Sequence, residues 1–521
     1  MTRILLAALT AIALVATGPA SGATTADPVD CLRNLNGLDL QTITAPQLQQ
    51  ALASGQITSR ELVERYLARI EAFDRQGPKL NGVREIHPQA LAQADALDAE
   101  RAAGTVRGPL HGIPVLLKDN IGTNDMPTTA GSIALAGSIP KRDAFLVEQL
   151  RKQGAIILGK ANLAEFANWM DPTMPNGFSS LGGQVLNSYN KSVNPSGSSS
   201  GSATSGAMAY AAMTIGSETS GSIVSPAEIQ GLAAIKPTVG LVSRAGVIPL
   251  APSWDTTGPM TRNITDAATL LGATTGVDPR DPATAASRAH LPAGSDYTSF
   301  LRTDALQGVR LGVQDRAGQP ALLREAINEV ERQGATIVEI ENDFDDLKTI
   351  GLSEYGSVSN EFKTSINEYL ANEATPPTGV KSLLDIILYN QDHADKIPYG
   401  QKWLQLSQTQ PGTKESMVPG SVATTTTARA LIDDTLDRYK IDAIINTGAG
   451  NFNIGAAAGY PTVAVPVGVN GKAPLSIGFM STAWAEGMLI GFAYDYEQAT
   501  LRRRPPTEVN AAQLQTPACG A

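Results

Sequence analysis

The 13 residues from Asn194 to Gly206 hold six serines and three glycines, and they constrain this chain more than any other segment. By composition alone such a run is a flexible linker between two domains. The neighbouring residues argue otherwise. An Ala-, Met- and Tyr-rich stretch, Ala207 to Met213, leads straight into a second Gly/Ser turn, Gly216 to Ser222. A helix of about 12 residues climbs roughly 18 Å, and a strand of five or six residues returns over about the same distance. The two serine-rich loops are therefore expected to meet at one end of a sheet.

Such a meeting suits nucleophilic serine chemistry. A serine hydroxyl attacks well only when a neighbouring base takes its proton, and glycine-rich turns leave N–H groups free to stabilise an oxyanion. Gly197 to Gly201 also fits the G-x-S-x-G elbow, with Ser199 central, which requires a downstream Asp and His. The four histidines are His87, His111, His290 and His393; only the last two come after Ser199, and neither sits in a glycine-rich or strand-end setting. The other available base is Lys118, at the end of the apolar run Val115-Leu116-Leu117. Held there, its ammonium would be disfavoured by desolvation and the neutral amine could act as a general base. The plain alternative is a lysine that pairs with Asp119 and points to water.

The flanking pattern is α/β. Leu48, Leu52, Leu62, Val63, Leu67 and Ile70 recur at helical spacing and predict a helical hairpin around Gly55, followed by a third helix over Pro88–Arg101. Ile113–Leu117 reads as a buried strand. Helix-to-strand steps are expected at Ala144–Asn162, Ala321–Glu341 and Thr424–Asn446, with strands at Ala155–Leu158 and Ile441–Ile445. Residues 276–305 and 345–425 read as irregular polar insertions around one sheet. Hydrophobic residues make up 42% and charged residues 17%, which suits a globular chain and excludes disorder. A net charge of −10 without any dense basic run argues against nucleic acid as a partner.

The first 23 residues read as an export signal: Arg3, a 13-residue apolar run from Ile4 to Ala16, Gly18-Pro19, and the small-residue exit Ser21-Gly22-Ala23. A membrane span needs about 20 apolar residues, so no membrane anchor is expected in the mature chain. The expected location is periplasmic or extracellular. Cys31 and Cys519 are the two cysteines, and in an oxidising compartment they form a candidate disulfide between the termini. No metal site and no cofactor are expected, since the histidines are scattered and neither cysteine has ligand spacing.

Taken together, the motifs resemble the amidase signature family. His111 to Asn120 resembles its lysine motif; Ser196–Ser202, Gly216–Pro226 and Gly231–Ser243 resemble its signature region; Ser253–Met260 and Gly459–Gly468 also fit. The resemblance runs from about 38 to 505, inside one large domain over 30–515 with insertions near 165–190 and 345–425. It implies a mixed, twisted β-sheet flanked by helices on both faces. It also implies a relay of Lys118, Ser198 and Ser222, with Ser222 the nucleophile, Ser198 behind a cis peptide bond, and an oxyanion hole from the N–H groups of Thr219, Ser220, Gly221 and Ser222. Ser199 and Asp255 match supporting positions. Glu218 and Ser220 stand where most members carry Asp and Gly, and Val224 replaces a frequent Arg.

Ser217 to Val224, Glu361-Phe362-Lys363 and Tyr389 to His393 look like the bacterial peptide amidase branch. That branch implies a small-molecule or short-peptide amide as substrate and no obligate protein partner. Fatty-acid or aryl amides remain alternatives, as does a transamidosome-type subunit, which the export signal opposes. A catalytically inactive exported binding protein is disfavoured because Lys118, Ser198 and Ser222 are all present.

Overall fold

The computed structural model describes residues 31–341, 347–447, 452–471 and 473–514. Residues 1–23, read as the export signal, and Cys519, the candidate partner of Cys31, lie outside the described residues. Near the start, α1 (Ala45–Ala53) and α2 (Ser59–Arg69) form the expected hairpin around Gly55. Both open on a capping box, Thr44 with Gln47 and Thr58 with Glu61, so that side chain and backbone satisfy each other's orphan N–H groups. α3 (Ala90–Ala102) and α4 (Phe145–Lys152) come next.

Eleven strands form one mixed sheet: β1 (Val83–Ile86), β2 (Pro114–Lys118), β3 (Ile156–Ala161), β4 (Met213–Glu218), β5 (Ala233–Lys236), β6 (Thr256–Thr261), β7 (Arg310–Gln314), β8 (Thr336–Ile340), β9 (Ala443–Thr447), β10 (Thr462–Asn470) and β11 (Ala473–Met480). The order across the sheet is β8-β7-β9-β11-β10-β5-β6-β4-β2-β3-β1. β2 runs parallel to both β3 and β4, and these three strands are buried along their whole length. Strands covered on both faces are apolar without alternation, which is why Val115–Leu117 and Ile156–Leu158 were legible as strands. The fold is thus the expected α/β class.

The topology brings three chain segments to one place. β2 and β4 are parallel neighbours, so their C-terminal ends, at Lys118 and Glu218, lie at the same end of the sheet. β6 enters at that end in the opposite direction, with Thr256 opposite Glu218 and Thr257 opposite Ser217. Asp255, one residue earlier, is carried there too.

Three expectations need correction. The helix between the serine loops, α5 (Ser200–Ala207), starts inside the Gly/Ser run and has eight residues, not twelve. Ala207–Met213 does not extend it, because two buried guanidinium groups take the turn's carbonyls: Arg69 donates to those of Met208 and Ala209, and Arg262 to those of Ala211 and Ala212. Glycines make this close packing possible. A Cβ on Gly201 would lie 2.2 Å from the Asn162 carbonyl oxygen and 2.4 Å from that of Gly82.

The region read as irregular near 345–425 is instead largely helical. It holds α6 (Leu347–Asn372), α7 (Leu383–Asp392), α8 (Lys402–Thr409) and the start of α9 (Lys414–Tyr439). Their apolar stripes are narrow, such as Phe362, Ile366, Tyr369 and Leu370 in α6 and Ala428, Ile432 and Leu436 in α9, and Thr, Ser, Gly and Pro419 surround them. Polar dilution hid the helical period. The other insertion, 276–305, is irregular as expected, with three short 3₁₀ turns. β9 begins at Ala443, two residues later than predicted, since Ile441 N–H closes the end of α9 on the Leu436 carbonyl.

Candidate active site

Lys118 ends β2 and is fully buried. Its Nζ lies 2.8 Å from Ser198 Oγ, 2.9 Å from Ser217 Oγ and 3.2 Å from the Ser217 carbonyl oxygen. Burial pushes its pKa down to about 7, against the opposing pull of the Asp255 and Glu218 carboxylates. The amine is therefore available near neutral pH. The surface-lysine alternative does not hold, because Asp119 pairs with Arg84 at 2.6 Å instead. A low pKa by itself does not mark the site: burial also lowers Lys160 to about 7 and Lys236 to about 8. Those two donate to Ile121 O and Thr128 Oγ1, and to Tyr460 O, respectively. Of the three, only Lys118 faces serine hydroxyls.

Ser198 comes after a cis peptide bond from Gly197, as the resemblance implied. Ser199 Oγ is turned away from the lysine; it donates to the Ser217 carbonyl at 3.0 Å and accepts from the Ser217 N–H at 3.2 Å. The Ser199 N–H also reaches the Ser222 carbonyl at 3.3 Å. Ser199 thus staples the two serine loops together. For the elbow arrangement a histidine would have to approach Ser199, and none does. His87 pairs with Asp125, His111 contacts the Leu97 carbonyl, His290 stacks on Trp484, and His393 contacts the Tyr389 carbonyl.

The second loop, from Glu218 to Ser222, is held at both ends. Glu218 accepts the N–H groups of Ile223 and Val224, which start the short helix after the loop. Asp255 accepts the Thr219 hydroxyl at 2.6 Å and the N–H groups of Leu250 and Ala251 at 2.8 and 3.0 Å. Its burial raises its pKa. Gly221 takes φ +75°, a left-handed turn that a side chain would resist. Between these anchors, the N–H groups of Thr219, Ser220, Gly221 and Ser222 meet no acceptor among the described residues.

Ser198, Ser222, Thr219 and Ser220 open onto one cavity of about 290 Å³, whose wall includes Asn168, Trp169, Asn176, Ser196, Val358 and Asn453. Ser198 and Ser222 share this cavity without a hydrogen bond between their hydroxyls among the described residues. A larger cavity, about 610 Å³ beside Gln49 and Tyr297, has no lysine in its lining, so the chemistry points to the smaller one. Trp169 stacks on Trp403 at 5.2 Å and forms part of the wall, whereas Trp254 is wholly buried and donates to Thr425. Glu361 accepts the Ser253 N–H and the Ser421 hydroxyl, and Phe362 packs edge-on against Phe166, so α6 is pinned over the cavity.

Sequence reasoning missed three features. Ser217 contacts Lys118 through both its hydroxyl and its carbonyl, and it lies within reach because β4 pairs with β2. Asn120 donates to Ser217 Oγ at 2.9 Å. Phe166, Ala167 and Asn168 all have positive φ, a left-handed turn that sets Asn168 and Trp169 into the wall. The Lys118-Asp119-Asn120 run could have suggested the second; nothing local announces the third.

A family model described as Amidase matches residues 61–410. A protein of Arabidopsis thaliana named as a probable amidase is 39% identical over 485 residues, covering 91% of this chain and 93% of that protein. The crystal structure of the native peptide amidase from Stenotrophomonas maltophilia superposes with a TM-score of 0.83 at 40% identity, covering 89% of this chain and 98% of that one. An amidase family protein from Bacillus anthracis gives a TM-score of 0.83 at 36% identity, over 89% and 92% of the two chains.

Proposed function

The chain belongs to the amidase signature family and is a hydrolase of the carbon–nitrogen bond of amides, and from that premise we propose that it deamidates the C-termini of short peptides outside the cytoplasm. The observation that carries the mechanism is the 2.8 Å approach of Lys118 Nζ to Ser198 Oγ beside a cavity that Ser198 shares with Ser222. Neutral Lys118 takes the Ser198 proton, Ser198 takes that of Ser222, and Ser222 Oγ adds to the amide carbonyl. The oxyanion lies against the free N–H groups of Thr219–Ser222, an arrangement that usually supplies the largest single stabilisation. The proton returns through the same path to the departing nitrogen, ammonia leaves, and water hydrolyses the acyl-enzyme. The missing Ser198–Ser222 bond forms when substrate closes the site, since such contacts are commonly loose before binding.

A peptide amide is favoured over a fatty-acid amide because Asn168, Asn176, Ser196 and Asn453 give the cavity polar walls suited to peptide groups. The likeness to the Stenotrophomonas peptide amidase supports the same choice. Export rests on residues 1–23, and the Cys31–Cys519 bridge and a mature form without membrane anchor, nucleic acid or obligate protein partner belong to the same proposal. The test is ammonia release from a C-terminally amidated dipeptide, a fatty-acid amide and an aryl amide, with wild-type and Ser222→Ala enzyme. Release from the peptide amide that vanishes in the variant supports both nucleophile and substrate. Activity that survives the substitution overturns the relay, and preference for the fatty-acid or aryl amide overturns the substrate.

A further inference from the structure

Beside Ser217, which contacts Lys118, lies a further and much smaller cavity, with about 10 Å³ open to the centre of a water molecule. Asn120, Ser217, Thr219, Asp255 and Thr257 are among its walls. Thr256, also in the wall, has an unpartnered hydroxyl, which its place next to Thr257 along β6 turns to the opposite face. Two further polar atoms in the wall have no hydrogen-bond partner among the described residues, Asn120 Oδ1 and Thr257 Oγ1. Both residues are deeply buried, 5% and 1% exposed. Thr257 stands directly opposite Ser217 in the β4–β6 pair, so the two side chains share one face of the sheet. Asn120 Nδ2 donates to Ser217 Oγ, which sets Asn120 Oδ1 close to that hydroxyl as well.

The donors and acceptors here do not balance. Ser217 Oγ lies within donor range of Lys118 Nζ at 2.9 Å and of Asn120 Nδ2 at 2.9 Å, which fills both of its lone pairs. Its own O–H then needs an acceptor other than Lys118, and none is hydrogen-bonded to it among the described residues. An O–H to be accepted, an amide oxygen and a threonine hydroxyl to be satisfied, and space for one small molecule call for a group with two donors and two acceptors.

We propose that this cavity is a built site for one water molecule, which accepts from Ser217 O–H and donates to Asn120 Oδ1 and Thr257 Oγ1. The same balance of donors and acceptors orients Lys118. Neutral lysine has two N–H groups and one lone pair. With Ser217 Oγ held as an acceptor, those N–H groups go to Ser217 Oγ and to the Ser217 carbonyl, and the lone pair faces Ser198. Without the water, the nearest acceptor for Ser217 O–H is that lone pair itself. The water is thus a positioning element for the base. Its effect on rate rests on the Lys118–Ser198 relay, whereas its presence does not.

Two measurements test this. A crystal structure of the wild-type protein, at a resolution that shows ordered water, should place one water within hydrogen-bond distance of Asn120 Oδ1, Ser217 Oγ and Thr257 Oγ1. Thr257→Val, which keeps the shape and removes the hydroxyl, should lose that water. It should lower kcat on a peptide amide by about tenfold, the scale of one misdirected buried hydrogen bond, with KM nearly constant. Thr257→Ser should restore both water and rate. A dry cavity in the wild type, or a Thr257→Val enzyme with wild-type kcat and pH profile, overturns the proposal. If the water is present but Lys118→Ala retains activity, the relay fails and the water site stands.

Discussion

Asp255 accepts the Thr219 hydroxyl at 2.6 Å, and through that one bond the strand β6 grips the loop that carries Ser222. The carboxylate is buried and also holds the N–H groups of Leu250 and Ala251, so it ties its own turn to a loop distant in sequence. Thr219→Val removes the grip and leaves a buried carboxylate short of one donor. The expected result is a kcat about tenfold lower and a midpoint of thermal unfolding lower by a few degrees, with Asp255→Ala worse on both counts. Steady-state kinetics and calorimetry on the two variants check it; a Thr219→Val enzyme equal to wild type in both would show that the loop holds without Asp255.

The pH dependence should separate the buried lysines. In the proposed relay Lys118 must be neutral to accept the Ser198 proton, and its pKa is lowered to about 7 by burial. Activity should therefore rise with pH on an acid limb centred near 7. Lys160 is lowered equally but faces a carbonyl and a threonine hydroxyl. Lys160→Met should leave that limb where it is, even where stability changes. A limb that moves with Lys160 would assign the wrong lysine.

Stability should also depend on pH through these groups. Lys118 and Lys160 titrate lower in the fold than the ordinary lysine value of 10.5, so between the two values the unfolded chain binds more protons and stability rises with pH. Burial of Glu497 raises its pKa to about 8 from 4.5, which makes stability fall as pH rises across that window. Replacing Lys160 by Met should remove part of the rise between about 7 and 10.5 and leave the lower window unchanged. Urea unfolding of wild type and Lys160→Met at pH values of about 6, 8 and 9.5 reads this directly.

Residues that act as a unit should not add. Lys118→Ala and Ser198→Ala are each expected to cost at least about 10³-fold in kcat, and the double variant about as much as either alone. A double variant whose loss is the product of the two singles would place the residues on separate paths.

Gly201→Ala should fail for steric reasons. Its new Cβ would press on two backbone carbonyl oxygens, from Asn162 and Gly82, and neither can move without disturbing β3 or the approach to β1. The expected loss is about 3 kcal/mol or more of stability, visible as low soluble yield and a depressed unfolding midpoint. Normal stability would mean that α5 can shift along the sheet.

The parts legible in the sequence were those with a short-range signature. The helical hairpin around Gly55, the apolar runs ending at Lys118 and Leu158, and the glycine-rich turns before α5 and after β4 all declare themselves over a few residues. The helices over 347–439 did not, because their buried stripes are narrow and sit among Thr, Ser and Gly. The length of α5 was misjudged for another reason. Whether Met208–Ala212 continues a helix depends on Arg69 and Arg262 taking its carbonyls, and both come from distant segments.

The same division runs through the site. Residue types and their local spacing determined that a serine pair, a strand-end lysine and a loop of free N–H groups exist, and a resemblance of several motifs in order named the relay. Only the tertiary structure decided which hydroxyls meet the lysine. Ser217 touches it because parallel β2 and β4 end side by side, while the Ser199 hydroxyl is turned to the Ser217 backbone. Strand register is set by pairing across the sheet, and no stretch of the chain contains its own partner.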